Sequence, residues 1–324
     1  DVQWMTAGSG ILSDLFVPDR RWQRLPSVRV NLQRTPQGCK RAATATDCTT
    51  MSSSLRGAAA VLVLLIGACT THPEPPSARV HYLGHAAFLL TFDNGVKVLT
   101  DFGESRAYGL DSPVHGFGTI RPDVITISHD HADHAGGELP ERIGRVLRDG
   151  EHFEGEDLKI TPIATYERTL EESDNTSYVF DYRGVKILHL GDCQALMLGL
   201  AQPDVRDRVR QLYPESYDLV LLPIGFVSDI LAEAVEFITL LDAQRVIPMH
   251  YWDPSDRDAF LRLIDGRADS WGRIYRSRSQ PDAAIVLGDL DSSVDTIHVI
   301  GLTPAPLTSM SGSTRGGSPP GGGR

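Results

Sequence analysis

Residues 129–134 (HDHADH) carry three histidines and two aspartates, directly after the apolar run at residues 123–127 (DVITI). His129 and His131 are two residues apart, so an extended backbone would point both side chains to the same side. Asp133 and His134 follow where we expect a turn into a helix. Imidazole nitrogens and carboxylate oxygens are common ligands of zinc and iron. A polar loop can collect such residues by chance, but this spacing after an apolar strand favours a metal site.

The composition limits which elements could position such a site. The chain has 324 residues, of which 41% are hydrophobic, so it can form a globular core. It contains 31 basic and 42 acidic side chains; residues 1–68 hold eight and four of these, which leaves a net charge of −15 on the remainder. So acidic a surface repels phosphate backbones, and we therefore expect no nucleic-acid partner.

The N-terminal part of the chain has the layout of an export signal rather than a fold. After Met51 comes a short polar start with Arg56, then an apolar stretch, then small residues before Cys69. The end of the stretch, IGAC, resembles a bacterial lipobox. We therefore predict upstream translation at residues 1–50, a lipoprotein signal peptide at 51–68, lipidation at Cys69 and a tether at 69–78. The mature protein would be exported and held on the periplasmic side of a membrane by its lipid anchor; a plain signal or a core helix is the alternative.

Residues 79–302 are predicted to form one domain, followed by a flexible tail at 303–324. Short β-rich runs recur along the domain, and DNG at 93–95 and YRG at 182–184 are typical of hairpin turns. Helical periodicity appears later, in the segment that begins at Ser228 and in the segment that begins at Ser255. The spacing of Ser255 and Asp258 predicts a capping box at the start of the second helix.

The HxHxDH motif and its flanking strands resemble the metallo-β-lactamase superfamily. The resemblance covers roughly residues 79–252 and implies an α/β fold, the four-layer αββα metallo-β-lactamase sandwich. It implies that Asp192, at the end of VKILHLGD, bridges two metals and that His250, at the end of RVIPMHY, is the last histidine ligand. GHAAF and PMHY resemble the branch that contains ascorbate-6-phosphate lactonase and N-acyl phosphatidylethanolamine phospholipase D.

One departure from the family pattern concerns the first metal. The family supplies a further histidine after the strand LKITPIA, but this chain reads ATYERT there and has no histidine at residues 153–188. Glu167, Tyr166 or water could replace that ligand. His189 is expected to be structural, because residues three apart in a strand face opposite sides and Asp192 is the predicted ligand.

The family resemblance implies a ligand set of His129, His131 and Asp192 for the first metal, and Asp133, His134, Asp192 and His250 for the second. We expect two divalent ions, with Zn²⁺ as the preferred metal and Mn or Fe as the alternatives. The first site is expected to be weak or empty. The competing prediction is a mononuclear site.

Hydrolysis of a small ester, lactone or phosphodiester by a metal-activated hydroxide is the function that this ligand set implies. Asp133 would orient the water or take its proton. Asp101 and His85 would not bind the metals themselves but would hold the ligands in position. Cys193 is expected to be a buried thiol, and Tyr251 and Trp252 either line the substrate pocket or pack. The alternatives are a catalytically silent metal-binding lipoprotein and an iron-dependent redox member of the superfamily.

Overall fold

The computed structural model describes residues 75–109, 113–116, 119–139, 143–225, 230–287 and 295–307. All of these residues fall within the unit Thr70–Arg324. The predictions for residues 1–50, for the signal peptide at 51–68 and for Cys69 lie outside the described residues, as does most of the predicted tail.

Sixteen strands occur in the described part of the chain, and they are numbered in chain order. They are β1 (Ala78–Gly84), β2 (Ala87–Phe92), β3 (Lys97–Thr100), β4 (Val124–Thr126), β5 (Arg145–Leu147), β6 (Phe153–Glu154), β7 (Leu158–Thr165), β8 (Asn175–Tyr182), β9 (Val185–His189), β10 (Ser216–Tyr217), β11 (Leu219–Pro223), β12 (Asp242–Ala243), β13 (Arg245–Met249), β14 (Ile274–Gln280), β15 (Ala284–Leu287) and β16 (Thr296–Leu302).

Five α-helices accompany these strands within the described residues. They are α1 (Ala132–Ala135), α2 (Gln194–Leu198), α3 (Pro203–Leu212), α4 (Leu231–Ile238) and α5 (Pro254–Ile264). None of them combines the length and the apolar character that a membrane-spanning helix requires.

Fourteen of these strands form two large mixed sheets, and β10 and β12 pair in a small separate sheet. The first sheet has the order β15-β1-β2-β3-β4-β5, and the second has the order β14-β16-β13-β11-β9-β8-β7-β6. In the second sheet β9, β11, β13, β16 and β14 run parallel, while β6 to β9 are joined by antiparallel pairings. The predicted αββα metallo-β-lactamase sandwich is confirmed by this mixed α/β architecture.

The first sheet is buried on both faces, which explains why its strands are almost continuously apolar. Along β2, Phe88 and Leu90 belong to the large core cluster that also contains residues of the second sheet. Ala87 and Leu89 alternate with them and belong to a smaller cluster on the opposite face, where Ala135 of α1 packs. Since successive side chains of a strand point to opposite faces, one strand serves both cores.

Both predicted hairpin turns are present. β8 and β9 are joined by Arg183 and Gly184 alone, with φ values of 50° and 91°. Positive φ at both central residues is the geometry that matches the twist of two paired strands. Gly95, in the turn between β2 and β3, has φ 88°.

The strand ends that carry the predicted site lie together. β3 and β4 are parallel neighbours, so residues just after them, Asp101 and His129, emerge at the same edge. β9 and β13 both run parallel to β11, so Asp192 and His250 emerge together at an edge of the second sheet. The parallel pairing therefore collects residues that are far apart in the chain.

The capping box predicted from Ser255 and Asp258 is wrong by two residues. Asp253 is the N-cap of α5: its side chain accepts a hydrogen bond from the Ser255 N–H at 2.7 Å, and Asp256 completes the box. Proline at 254 explains the shift, because it has a helical φ, needs no N–H at the first helical position, and keeps the preceding residue extended. Asp253 accordingly has φ −131° and ψ 138°.

Replacement of Asp253 should therefore weaken α5, while replacement of Ser255 should not. We expect Asp253→Ala to lower the thermal unfolding midpoint by roughly 2–4 °C, as the loss of a helix cap does in a domain of this size. Ser255→Ala keeps the backbone N–H that Asp253 accepts and should leave the midpoint within about 1 °C. Equal midpoints for the two variants, measured by circular dichroism, would contradict the assignment.

Candidate metal centre

Four side chains lie close enough together to hold one metal ion, and we call them the closed group. They are His85, Asp133, His134 and His250. Asp133 Oδ2 lies 3.0 Å from His85 Nε2 and 3.5 Å from the Nε2 atoms of both other histidines. His134 Nε2 and His250 Nε2 are 3.0 Å apart. All four residues are buried.

His85, which was expected to support the ligands, lies in direct contact with them. Its Nε2 is 3.0 Å from Asp133 Oδ2, and the β1–β2 turn brings its ring against His250, with ring centroids 4.1 Å apart. It is thereby a member of the closed group. The His85 carbonyl also accepts the His250 N–H at 2.9 Å and the Tyr82 hydroxyl at 3.0 Å. The histidine in the turn after β1 was the sequence signal for this position, but nothing in its spacing linked it to Asp133.

A second donor group consists of His129, His131 and Glu167. Glu167 Oε1 lies 3.3 Å from His131 Nδ1, and Glu167 Oε2 lies 3.7 Å from His129 Nε2. Glu167 follows β7, at the place where the sequence analysis found a histidine missing. Of the two proposed replacement ligands, the structure therefore places Glu167 in the cluster.

The ring of Tyr166 packs elsewhere. It lies against the main hydrophobic core, with the guanidinium carbon of Arg208 5.3 Å from the ring centroid. Successive residues after a strand point to opposite sides, so Glu167 and Tyr166 do not share the cluster.

Asp192 lies between the two groups. It forms a third donor set with His129 and His134, and its Oδ2 is 3.7 Å from His250 Nε2. Asn175 fixes this segment, because its Oδ1 accepts the Asp192 N–H at 3.0 Å and its amide donates to the Leu190 carbonyl at 3.0 Å. The sequence analysis did not identify Asn175, which has no motif of its own.

Two neighbours of Asp192 stay out of these groups. His189 is fully buried and its Nε2 lies 3.0 Å from the Ala86 carbonyl, in agreement with a structural role. Cys193 is a buried free thiol at the start of α2, and burial raises its pKa well above the usual value.

Asp101 supports the cluster from behind. Its Oδ1 accepts the Ser128 N–H at 2.7 Å, and its Oδ2 accepts the Ser128 hydroxyl at 2.7 Å and lies 2.9 Å from His134 Nδ1. Burial acts to raise the pKa of Asp101, but the neighbouring His189 and His134 and the Ser128 hydroxyl lower it to about 2. Because the Asp101 carboxylate is hydrogen-bonded to Nδ1 of His134, Nε2 of that ring faces the cluster, as in many metal-ligating histidines.

Three of these residues adopt the left-handed backbone conformation. The φ values are 52° for His85, 34° for Asp101 and 52° for His250. Non-glycine residues in this region carry about 1–3 kcal/mol of strain each, and such strain is concentrated at functional sites.

The carboxylates of the cluster repel one another. Burial raises the pKa of Glu167 to about 8, with the Asp192 and Asp174 charges acting in the same direction. Burial raises the pKa of Asp192 to about 6 against the opposing effect of His250. For Asp133 burial also opposes ionisation, but hydrogen bonds from His250 and His85 hold its pKa well below the usual range. A divalent cation would offset this crowding of negative charge.

The donor atoms fit a metal in two respects. His129 Nε2, Asp133 Oδ1 and Asp192 Oδ1 are buried without a hydrogen-bond partner, although such atoms are normally satisfied. In addition, two ligands at 2.0–2.1 Å from a tetrahedral zinc are about 3.3–3.4 Å apart. The closest separations in the group of His85, Asp133, His134 and His250 are 3.0–3.5 Å.

A cleft of about 480 Å³ opens beside the group of His129, His131 and Glu167. The His131 side chain is 44% exposed there, and Arg168 contributes to the wall. On the other side of the centre, Tyr251 and Trp252 line a cavity of about 160 Å³ together with His85, and the Trp252 ring stacks on the His85 ring with centroids 4.6 Å apart.

The chain is similar to known proteins of one superfamily. Residues 79–250 match the model of the Beta-lactamase superfamily domain. The chain is 27% identical over 228 residues to a UPF0173 metal-dependent hydrolase of Thermococcus onnurineus, covering 59% of this chain and 94% of the relative. It is 28% identical over 231 residues to a protein of the same description from Methanosarcina barkeri, covering 59% of this chain and 93% of the relative.

Among solved structures, a metallo-β-lactamase superfamily protein from Thermotoga maritima is 23% identical, with a TM-score of 0.47 over 69% of this chain and 98% of that one. The resemblance to the branch of ascorbate-6-phosphate lactonase stays a prediction. The family model spans more than half of the chain and includes HxHxDH, Asp192 and His250. The chain therefore belongs to the β-lactamase superfamily.

Proposed function

We propose that this metal-dependent hydrolase of the β-lactamase superfamily cleaves a small ester, lactone or phosphodiester with water activated at a centre of two divalent cations. The observation that carries the proposal is the pair of donor groups joined by Asp192, in which three buried side-chain atoms lack hydrogen-bond partners. The relatives are named metal-dependent hydrolases, which supports the same reaction class.

The ligand assignment follows the donor groups. His129, His131, Glu167 and Asp192 would hold the first cation, and His85, Asp133, His134 and His250 would hold the second, with Asp192 between them. Bound cations of this kind lower the pKa of a coordinated water toward neutrality and polarise the bond under attack. Zn²⁺ suits the group of His85, Asp133, His134 and His250 best, since three imidazoles and one carboxylate are typical zinc ligands.

Asp133 is the proposed proton acceptor. Its Oδ2 faces His85, His134 and His250, whereas its Oδ1 is buried and lacks a hydrogen-bond partner. A carboxylate so placed can orient a water and accept its proton. The polar cleft beside His131 has the size of a small-molecule site, and the Arg168 guanidinium in its wall is paired with Asp174.

Removal of either Asp133 or His129 tests the two-cation centre. If both cations are required, Asp133→Ala and His129→Ala should each reduce kcat on generic phosphodiesters and lactones by at least about 100-fold. Elemental analysis should show less than two equivalents of metal in each variant. Asp130→Asn is the matched control, because its side chain is 73% exposed and pairs with Arg148, so it should retain both equivalents.

A single equivalent of metal at saturation, with maximal activity and with His129→Ala near wild type, would favour a mononuclear hydrolase instead. Full metal content without turnover of any ester, lactone or phosphodiester would favour a catalytically silent metal-binding protein.

Asp101 offers a test that leaves every metal ligand in place. Asp101→Asn removes the charge behind His134 and should weaken metal binding by about 10–100-fold, as the loss of such partners does elsewhere. The measurement is competition against a chelating indicator dye. Unchanged affinity would contradict the supporting role of Asp101.

The proposal extends to the cellular location of the enzyme. From the run at residues 58–66 and the IGAC segment we infer export and lipidation at Cys69, with a membrane anchor outside the catalytic domain. Cys69→Ser should release the mature protein from the membrane fraction of a bacterial host, whereas Cys193→Ser should not. Membrane retention of the Cys69→Ser protein would reject the anchor.

A further inference from the structure

The two donor groups differ in composition. The group of His85, Asp133, His134 and His250 offers three imidazoles and one carboxylate. The group of His129, His131 and Glu167 offers two imidazoles and one carboxylate, and Asp192 adds a second carboxylate at its border through its contact with His129. The group of His129, His131 and Glu167 is therefore richer in oxygen and in negative charge.

The two groups also differ in their access to solvent. Every member of the four-residue group is at most 5% exposed, so four donors enclose that site. The three-residue group lines the cleft, and the side chain of His131 is 44% exposed. Three donors on one side and a cleft on the other leave room for further ligands.

Glu167 is held in place rather than free to swing. Its backbone N–H donates to Asp174 Oδ1 at 2.7 Å, and the other oxygen of Asp174 accepts the Arg168 Nε–H at 2.7 Å. Only 11% of the Glu167 side chain is exposed, although its carboxylate belongs to a loop. A fixed buried carboxylate next to two histidines is a built part of the centre.

These differences matter because zinc and the oxygen-preferring cations favour different donor sets. Zinc accepts a closed tetrahedral set rich in nitrogen. Two histidines and one carboxylate around open positions suit iron(II), and carboxylate and water ligands suit manganese. Zinc binds more tightly than manganese to most sites, so the meaningful quantity is the relative preference of one site compared with the other.

We propose that the centre is mixed and binds two different metals. The closed group of His85, Asp133, His134 and His250 holds Zn²⁺. Glu167 makes the open group of His129, His131 and Glu167 selective, relative to the closed group, for Mn²⁺ or Fe²⁺. This inference rests on the proposed metal-dependent function and names the cation that the open group holds. Replacement of Glu167 by histidine would remove the distinction, because the open group would then offer three imidazoles.

The test uses the full chain, freed of metal with a chelator and then equilibrated with one equivalent of Zn²⁺ and an excess of Mn²⁺. After gel filtration, elemental analysis should show about one zinc and one manganese in the wild type. Anomalous diffraction at the two absorption edges should place zinc beside His250 and manganese beside Glu167. The electron paramagnetic resonance signal of bound Mn²⁺ gives a readout that does not depend on turnover.

Three variants complete the experiment. When a second equivalent of Zn²⁺ is added, Glu167→His should take up two zinc ions. Its ratio of Mn²⁺ affinity to Zn²⁺ affinity at the open site should be at least about tenfold below that of the wild type, because even residues that only hydrogen-bond to ligands change metal affinity 10–100-fold. Glu167→Gln should lose manganese and keep zinc. Glu171→Gln is the matched control, because this exposed carboxylate lies four residues along the same loop, and it should behave as the wild type.

The outcomes separate this inference from the function on which it rests. Manganese beside His250, or equal selectivity in wild type and Glu167→His, would overturn the mixed centre and leave the hydrolase intact. One zinc with no manganese would also overturn it and favour a mononuclear enzyme. No bound metal at all would reject both proposals. If Glu167→His does not fold, the wild-type diffraction and Glu167→Gln still decide the question.

Discussion

The buried carboxylate of Asp101 is the interaction on which the arrangement of the centre depends. It is only 1% exposed, and hydrogen bonds from the Ser128 backbone, the Ser128 hydroxyl and the His134 ring compensate its charge. A buried anion is tolerated only when such partners are present. The residue after β3 thereby fixes the start of the HxHxDH segment and orients one of its histidines.

Two sheets are needed because neither sheet alone supplies a complete donor group. The first sheet contributes Asp101 and the segment with His129 and His131, while the second contributes Asp192 and His250. The hydrophobic core between the sheets therefore determines the distance between these side chains. Packing and chemistry are coupled, since a shift of one sheet against the other would separate donors that now lie within 4.8 Å of one another.

Much of the fold and part of the centre were predictable from local patterns. Apolar runs followed by His, Asp or Gly revealed β4, β9 and β13. The metallo-β-lactamase fold was implied by the resemblance of these motifs, in this order, to that superfamily. β14 escaped prediction, because it carries Arg276 and Arg278 at the edge of the second sheet and has no apolar run. The start of α5 was misplaced because the effect of Pro254 on its neighbour outweighed the Ser255 signal.

The limits of prediction at the centre have the same origin. Sequence spacing identified both Glu167 and Tyr166 as candidates for the missing ligand. The choice between them depends on the direction of each side chain after β7, which the structure gives. His85 lies 48 residues before Asp133, and its place among the donors depends on how the β1–β2 turn meets the residue after β13. Long-range contacts of this kind leave no periodic trace in a single sequence.

The left-handed backbone of His85, Asp101 and His250 has a consequence for how such a centre can evolve. Outside glycine, this conformation is most accessible to asparagine, aspartate and histidine, and it is least accessible to β-branched residues. Replacement at these three positions is therefore least costly for side chains that themselves bind metals or hydrogen-bond to ligands. The backbone at these positions thus tolerates an exchange among histidine, aspartate and asparagine, which alters the donor atoms offered to a cation while the fold stays the same.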